Sequence, residues 1–188
     1  MRLVSKSQYK RMPWKNGQGF TDEIAISPEG AVFPSEPFVW RLSAATVSAP
    51  NTFSQFPGCD RWLAILQGSG LSLNGKPLQS GECVRFSGED KVACVPIAGE
   101  VTDIGLIFDR AKVEARMEFR SLDSGANVLD LVGERHYIVC ARGEFSYQEM
   151  QVFEGDTIEV MGSTAIPIQT TSEAMAIVAS ICGTALVL

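Results

Sequence analysis

Arg61-Trp-Leu-Ala-Ile-Leu-Gln-Gly-Ser-Gly-Leu-Ser-Leu-Asn-Gly-Lys-Pro-Leu-Gln-Ser-Gly-Glu-Cys-Val-Arg-Phe-Ser-Gly88 is the stretch whose reading decides the fold. An apolar run ends at Gly68, and a short alternating run follows from Leu71. Asn74-Gly75 is the pair that a two-residue type I′ hairpin asks for, because both of its central residues need positive φ. Gly81-Glu82 then turns the chain into another apolar run that starts at Cys83. Strand, glycine turn, strand, hairpin, strand, glycine-acid turn and strand again is how small antiparallel barrels are built.

The same punctuation runs outward in both directions. Seventeen glycines and nine prolines separate short runs rich in Val, Ile, Phe, Leu and Thr. Strands are expected over 23–27, 38–47, 62–67, 71–74, 83–86, 92–96, 102–108, 113–119, 137–141, 144–149, 157–160 and 174–181. No stretch has the pattern of a three-turn helix. Residues 121–134 read as a linker or a short helical turn, because Asp123-Ser124-Gly125-Ala126-Asn127 is turn-like. The pattern contains a repeat. Gly68 and Gly143 each follow an apolar strand, and Gly81-Glu82-Cys83-Val84 matches Gly155-Asp156-Thr157-Ile158. The expected architecture is all-β, with two cupin-like barrels or jelly-roll halves in one compact chain (a bicupin). The first barrel with its N-terminal segment is expected over 1–120 and the second half over 121–188.

Composition narrows the function. The 188 residues are 45% hydrophobic, enough for a sizeable core. Net charge is -6, with Lys and Arg scattered rather than clustered, so no basic face for nucleic acid is expected. No run approaches the ~20 apolar residues of a membrane helix. Residues 1–14 lack the continuous apolar stretch of a signal peptide. A cytoplasmic protein is the expectation. The five cysteines form no CxxC pair and read as buried, reduced thiols.

Cupin barrels usually hold a metal with histidines and a glutamate. In such barrels the glutamate stands seven residues before the turn glycine. Counting back from Gly68 gives Arg61, and from Gly143 gives His136, the chain's single histidine. A guanidinium has no free lone pair for a metal, whereas it suits a carboxylate held by two parallel hydrogen bonds. The first cavity is therefore expected to take a small anion, with no metal and no other cofactor. The alternative is an Arg61 whose head lies in solvent or pairs with Asp60. His136 lacks the company of further ligands that a metal needs and reads as a satisfied barrel or surface residue. A Cys140–His136 nucleophilic pair finds no oxyanion site to support it, and no catalytic residue is assigned.

Other residues compete for the site. Lys15 and Asn16, in Trp14-Lys15-Asn16-Gly17-Gln18-Gly19, offer donors to an anion, although the segment also reads as a loop whose Trp14 plugs a barrel end. In Trp40-Arg41-Leu42-Ser43, Arg41 and Ser43 share one face of a strand, which points either into a cavity or to water. Phe53 and Phe56, just ahead of Arg61, occupy the place of the two cupin histidines and either wall a pocket or join the core.

Trp14-Lys15-Asn16-Gly17-x-Gly19-x-Thr21-x-Glu23-Ile24, Trp40-Arg41-Leu42-Ser43 and Phe53-Ser54-x-Phe56-Pro57-Gly58-x-Asp60-Arg61 together resemble the HutD/Ves family. The resemblance implies a bicupin without a conventional metal site. It also implies a part in modulating bacterial histidine utilisation by sensing an intermediate such as urocanate, formiminoglutamate or formylglutamate. On this chain Lys15, Asn16 and Arg61 are the ligand candidates it implies, with Arg41, Phe53 and Phe56 beside them. The expected partner is thus a small carboxylate, with a homodimer by analogy. Two other roles stay open. One is a metal-independent cupin enzyme using Glu23 near Lys15 as acid and base; the other is a partner-docking β protein.

Overall fold

The computed structural model describes residues 1–14 and 19–183. Among these the regular structure is almost entirely strand: β1 (Arg2–Val4), β2 (Lys10–Pro13), β3 (Gly19–Ser27), β4 (Trp40–Val47), β5 (Asn51–Thr52), β6 (Cys59–Gln67), β7 (Leu71–Leu73), β8 (Lys76–Leu78), β9 (Cys83–Ser87) and β10 (Ala93–Pro96) come first. They are followed by β11 (Val101–Asp109), β12 (Val113–Leu122), β13 (Gly125–Leu131), β14 (Arg135–Arg142), β15 (Glu144–Tyr147), β16 (Met150–Phe153), β17 (Thr157–Met161), β18 (Thr164–Thr170) and β19 (Ala174–Gly183). A single 3-10 turn, Lys6–Gln8, interrupts them. Asn74 and Gly75 take φ of 49° and 82°, the left-handed pair of the expected hairpin between β7 and β8.

Two compact units divide the chain, Lys10–Val113 and Met1–Tyr9 with Glu114 onward. The first holds the sheets β2-β3-β4-β11-β6-β9 and β5-β10-β7-β8; the second holds β1-β17-β14-β19-β12 and β13-β18-β15-β16. The order β4-β11-β6-β9 of one unit thus recurs as β12-β19-β14-β17 in the other, and β5-β10-β7-β8 recurs as β13-β18-β15-β16. Register repeats as well. Arg61 pairs with Ile107 and Phe86, and His136 pairs with Ser180 and Val160. The bulge between Ile65 and Gln67 on β6 has its counterpart between Cys140 and Arg142 on β14. Gly68 and Gly143 turn under the same neighbour, since a Cβ on Gly68 would meet the Glu100 carbonyl at 2.7 Å and one on Gly143 the Glu173 carbonyl at 3.3 Å. The glycine repeat read from the sequence is the structural repeat of the fold.

Strands β2, β5, β8, β16 and β18 lie outside the runs expected from the sequence, and two further features depart from that reading. Residues 125–131, expected as linker or helical turn, form β13 along the full length of β18. Asn127 explains the misleading signal: its side chain accepts from the Asp123 N–H at 3.0 Å and donates to the Asp123 carbonyl at 2.7 Å, a local turn just ahead of the strand. The first nine residues lie in the unit formed by the second half. β1 pairs with β17, the Lys6 N–H donates to Asp156 at 2.8 Å, and the Tyr9 hydroxyl donates to the Gly155 carbonyl at 2.7 Å. These contacts span about 150 residues, beyond the reach of any local pattern.

The cores follow from alternation. In the first unit Val47, Leu63, Ile65, Leu71, Leu73, Cys94 and Val101 close one end of the interior. In the second unit Ile138, Cys140, Phe145, Ile158, Ala176 and Val178 belong to a cluster that fills the equivalent space.

Candidate functional site

Three strands of the first unit make the floor of a cavity of about 530 Å³. Their register sets three rows: Arg41, Ile107, Arg61; then Ser43, Gly105, Leu63; then Ala45, Asp103, Ile65. Because alternate residues share a face, the outer two rows put charged groups on a mainly apolar floor. Gly105 is central. A Cβ there would meet nothing nearer than Leu63 at 3.7 Å, so the missing side chain is open space. At the register-equivalent positions of the second unit stand Ala176 for Asp103 and Val178 for Gly105, both in the closed apolar cluster. The cavity in one half thus corresponds to packed core in the other.

Arg61 points inward. It is 8% exposed and lies under three aromatic rings, with its guanidinium carbon 4.9 Å from the Phe53 centroid, 5.4 Å from Phe56 and 5.7 Å from Phe86. Such stacking holds a guanidinium while leaving its N–H edge free. Among the described residues one long bond uses that edge, to the Ser54 carbonyl at 3.4 Å. Burial pulls the Arg61 pKa down to about 10, with Asp103 pulling the other way, so the group stays cationic at neutral pH. The alternative pairing with Asp60 does not occur. Asp60 lies on the other face, where Arg85 and Arg110 hold it at 2.7 and 2.8 Å. Arg110 and the Gly58 N–H also meet Glu89, at 2.6 and 2.7 Å. These bonds draw the Glu89 carboxyl well below the usual carboxylate range. They fix the turn that carries Phe56 toward Arg61.

Arg41 also lines the cavity and is 4% exposed. Its Nε donates to Glu23 at 2.7 Å, its guanidinium stacks 4.0 Å from the Phe33 centroid, and its Nη2 has no hydrogen-bond partner among the described residues. Glu23 is thereby tied to a guanidinium. Lys15 and Asn16 lie outside the described residues. Trp14 lines the rim and donates to Thr21 at 2.9 Å. Gly19 makes room for it, since a Cβ there would stand 3.0 Å from the indole. The structure therefore gathers Arg61, Arg41, Phe53 and Phe56 around one cavity.

Asp103 was missed in the sequence. It is 3% exposed, its Oδ2 has no partner among the described residues, and burial pushes its carboxyl up to about 7 against the pull of Arg61. Its signal was a lone acid on the same strand face as Val101, Gly105 and Ile107. Two guanidiniums, one carboxyl and the Ser43 hydroxyl make a donor-rich wall. Guanidiniums cannot ligate a metal and repel one, so this set does not fit a metal ion and does fit an anion.

His136 is fully buried, with Nδ1 2.8 Å from the Ser180 hydroxyl and Nε2 unpartnered among the described residues. Burial lowers its pKa. The nearby Cys140 thiol is pushed up to about 12 by burial, which opposes a nucleophilic thiolate. A second depression of about 270 Å³ in the other unit is lined by charged side chains that already pair, such as Glu118 with Arg116 and Arg120.

An all-β chain of two cupin-like halves, one hollow and lined by arginines, is the class that fold and site define. Solved structures agree on the fold: the bacterial pirin YhhW of Escherichia coli, in complex with nickel(II), superposes with TM-score 0.65 at 11% identity, covering 95% of this chain and 97% of that one. Within that class the chain belongs to the HutD family, whose profile matches residues 6–178. A protein of Pseudomonas putida in the hutC 3′ region is 35% identical over 154 residues, 76% of this chain and 79% of the relative. That position ties the family to the histidine-utilisation locus. Protein Ves of Citrobacter koseri is 29% identical over 60% of this chain and 62% of its own length. HutD from Pseudomonas fluorescens, in a formate condition, superposes with TM-score 0.80 at 25% identity, covering 98% of this chain and 99% of that chain. No helix among the described residues is long and apolar enough to cross a membrane.

Proposed function

We propose that this chain is a non-catalytic binder of a small carboxylate that modulates histidine utilisation, sensing urocanate, formiminoglutamate or formylglutamate. It acts in the cytoplasm, as a homodimer. One observation carries the reading: a buried, ring-stacked Arg61 faces a cavity of about 530 Å³ with almost all of its hydrogen-bonding edge unused among the described residues. A guanidinium in that state is poised for a charge-assisted pair with a carboxylate, stronger than a neutral hydrogen bond. The rings of Phe53 and Phe56 suit the apolar body of such a metabolite. The family's tie to the hut locus supplies the class of metabolite.

Thermal melts with each of the three metabolites test the reading. At a ligand concentration of 100 Kd a native-state binder gains about 2.7 kcal/mol, which for a chain of this length raises Tm by about 5–10 °C. No shift with any of the three counts against it. Asp103 supports a second reading, a metal-independent enzyme, because a carboxyl near neutrality suits general acid–base work. It replaces the Glu23–Lys15 pair expected from the sequence, since Glu23 is held by Arg41. Turnover of a pathway intermediate by chelator-treated protein would favour that second reading.

A further inference from the structure

One group on the cavity floor has no task in holding a carboxylate. Asp103 sits on the central strand β11 between Ala45 of β4 and Ile65 of β6, both apolar. It is almost completely buried and its Oδ2 meets no donor among the described residues. A structural carboxylate in such a place is normally paired, because an unmatched buried charge is strongly disfavoured. The titratable and charged groups around it come from four strands. Arg61 projects from β6, Arg41 from β4 with Glu23 of β3 bound to it, and the buried Cys94 thiol from β10. Arg61 favours the carboxylate form and burial favours the neutral acid; burial is the larger influence. The acid form also has a hydrogen that nothing described accepts. It is available to a guest.

We propose that Asp103 gates the anion cavity, an inference that rests on a carboxylate ligand at Arg61. As a neutral acid it leaves Arg61 free for the ligand and donates a hydrogen bond to a second acceptor on it. As a carboxylate it cancels the field of Arg61 and repels the ligand. Two anions at a buried site interact far more strongly than in bulk solvent, and Asp103 is 3% exposed. The gate defines the ligand class: an anion carrying a neutral acceptor, such as a carbonyl or an unprotonated ring nitrogen, beyond its carboxylate. An ammonium at that end would instead select the ionised form.

The linkage has a sign. A ligand that binds only the acid form draws a proton into the site wherever the empty protein is ionised, and its affinity falls as pH rises above neutrality. Calorimetry at pH 8 in two buffers of different ionisation enthalpy counts that proton. N-formylglutamate and urocanate serve as probes, since carboxylates and neutral imidazoles do not titrate at that pH. About one proton is expected to be taken up per ligand bound, with Kd rising about tenfold between pH 8 and pH 9. Asp103→Asn, the neutral isostere, is expected to bind with the same affinity at both pH values. Binding by the wild type with no proton taken up, or with one released, overturns the gate and leaves the carboxylate site standing. Failure of both probes to bind the wild type at pH 7 overturns the carboxylate site and the gate together.

Discussion

Replacing Gly105 by valine puts the difference between the two halves to a direct test. Val178 occupies the register-equivalent place in the second unit, where it is packed in the apolar cluster. At Gly105 the added Cβ meets Leu63 at 3.7 Å, ordinary contact, and no positive φ obstructs a branched side chain. Glycine inside a strand is weaker than alanine by roughly 0.5–1 kcal/mol. Two further methyls against Leu63 and Ile107, partly covered, add about 0.5–1 kcal/mol at ~0.8 kcal/mol for each fully buried group. The sum of about 1–2 kcal/mol corresponds to a Tm rise of about 2–8 °C at this chain length. The new side chain stands in the row between Arg61 and Asp103, so ligand affinity is expected to fall at least tenfold, about 1.4 kcal/mol. Thermal melts without ligand give the first quantity and titration with urocanate or N-formylglutamate the second. A variant that melts below the wild type, or binds with wild-type affinity, would refute the view that Gly105 is where the cavity is opened at the expense of packing.

Other outcomes follow from the same geometry. Arg61→Leu removes a buried cation with one long hydrogen bond and puts an apolar group among three phenylalanine rings, which relieves the cost of burying that charge; Tm within a few degrees of wild type with carboxylate binding lost is expected, and retained binding by calorimetry contradicts the anion site. Asp103 has a folded-state pKa of about 7, above its unfolded value, so the folded chain holds the extra proton and stability is lost as pH rises from about 4 to about 7, then no further. Denaturant unfolding across that window should show Asp103→Asn gaining on the wild type by a few kcal/mol; parallel curves would show that the carboxyl titrates normally. Burial pushes the Cys94 and Cys140 thiols up to about 12. In native protein at pH 8 both should resist a thiol reagent that modifies them once the chain is unfolded, as read by peptide mass mapping.

Much of this was legible because strands and turns write local signals. Asn74-Gly75 dictates its hairpin, and the glycines at 68 and 143 mark corners where the next strand's backbone passes within contact distance. Alternation placed Arg41 and Ser43 together, and the count from Gly68 placed Arg61 where a cupin turns a ligand inward. What alternation leaves open is whether a face meets water or a hollow, since β4 is buried on both sides. Asp103 escaped notice for a related reason. An acid in an apolar run reads as an exposed interruption unless its neighbours across the sheet, Ala45 and Ile65, are known. Residues 125–131 were hidden by the turn that the Asn127 side chain closes back onto Asp123, although Leu129 and Leu131 already alternate with exposed neighbours.

The pairing of Arg2–Val4 with Thr157–Glu159 has a consequence for synthesis on the ribosome. Residues 2–4 leave the exit tunnel roughly 150 residues ahead of their partner, a delay of about 8–30 s at common elongation rates. Residues 10–113 emerge whole within that interval, while Leu3 and Val4 stay without their strand partner. Residues 2–4 therefore wait for the last barrel to be translated, and a chaperone that retains them would stall its closure while sparing the half that carries Arg61.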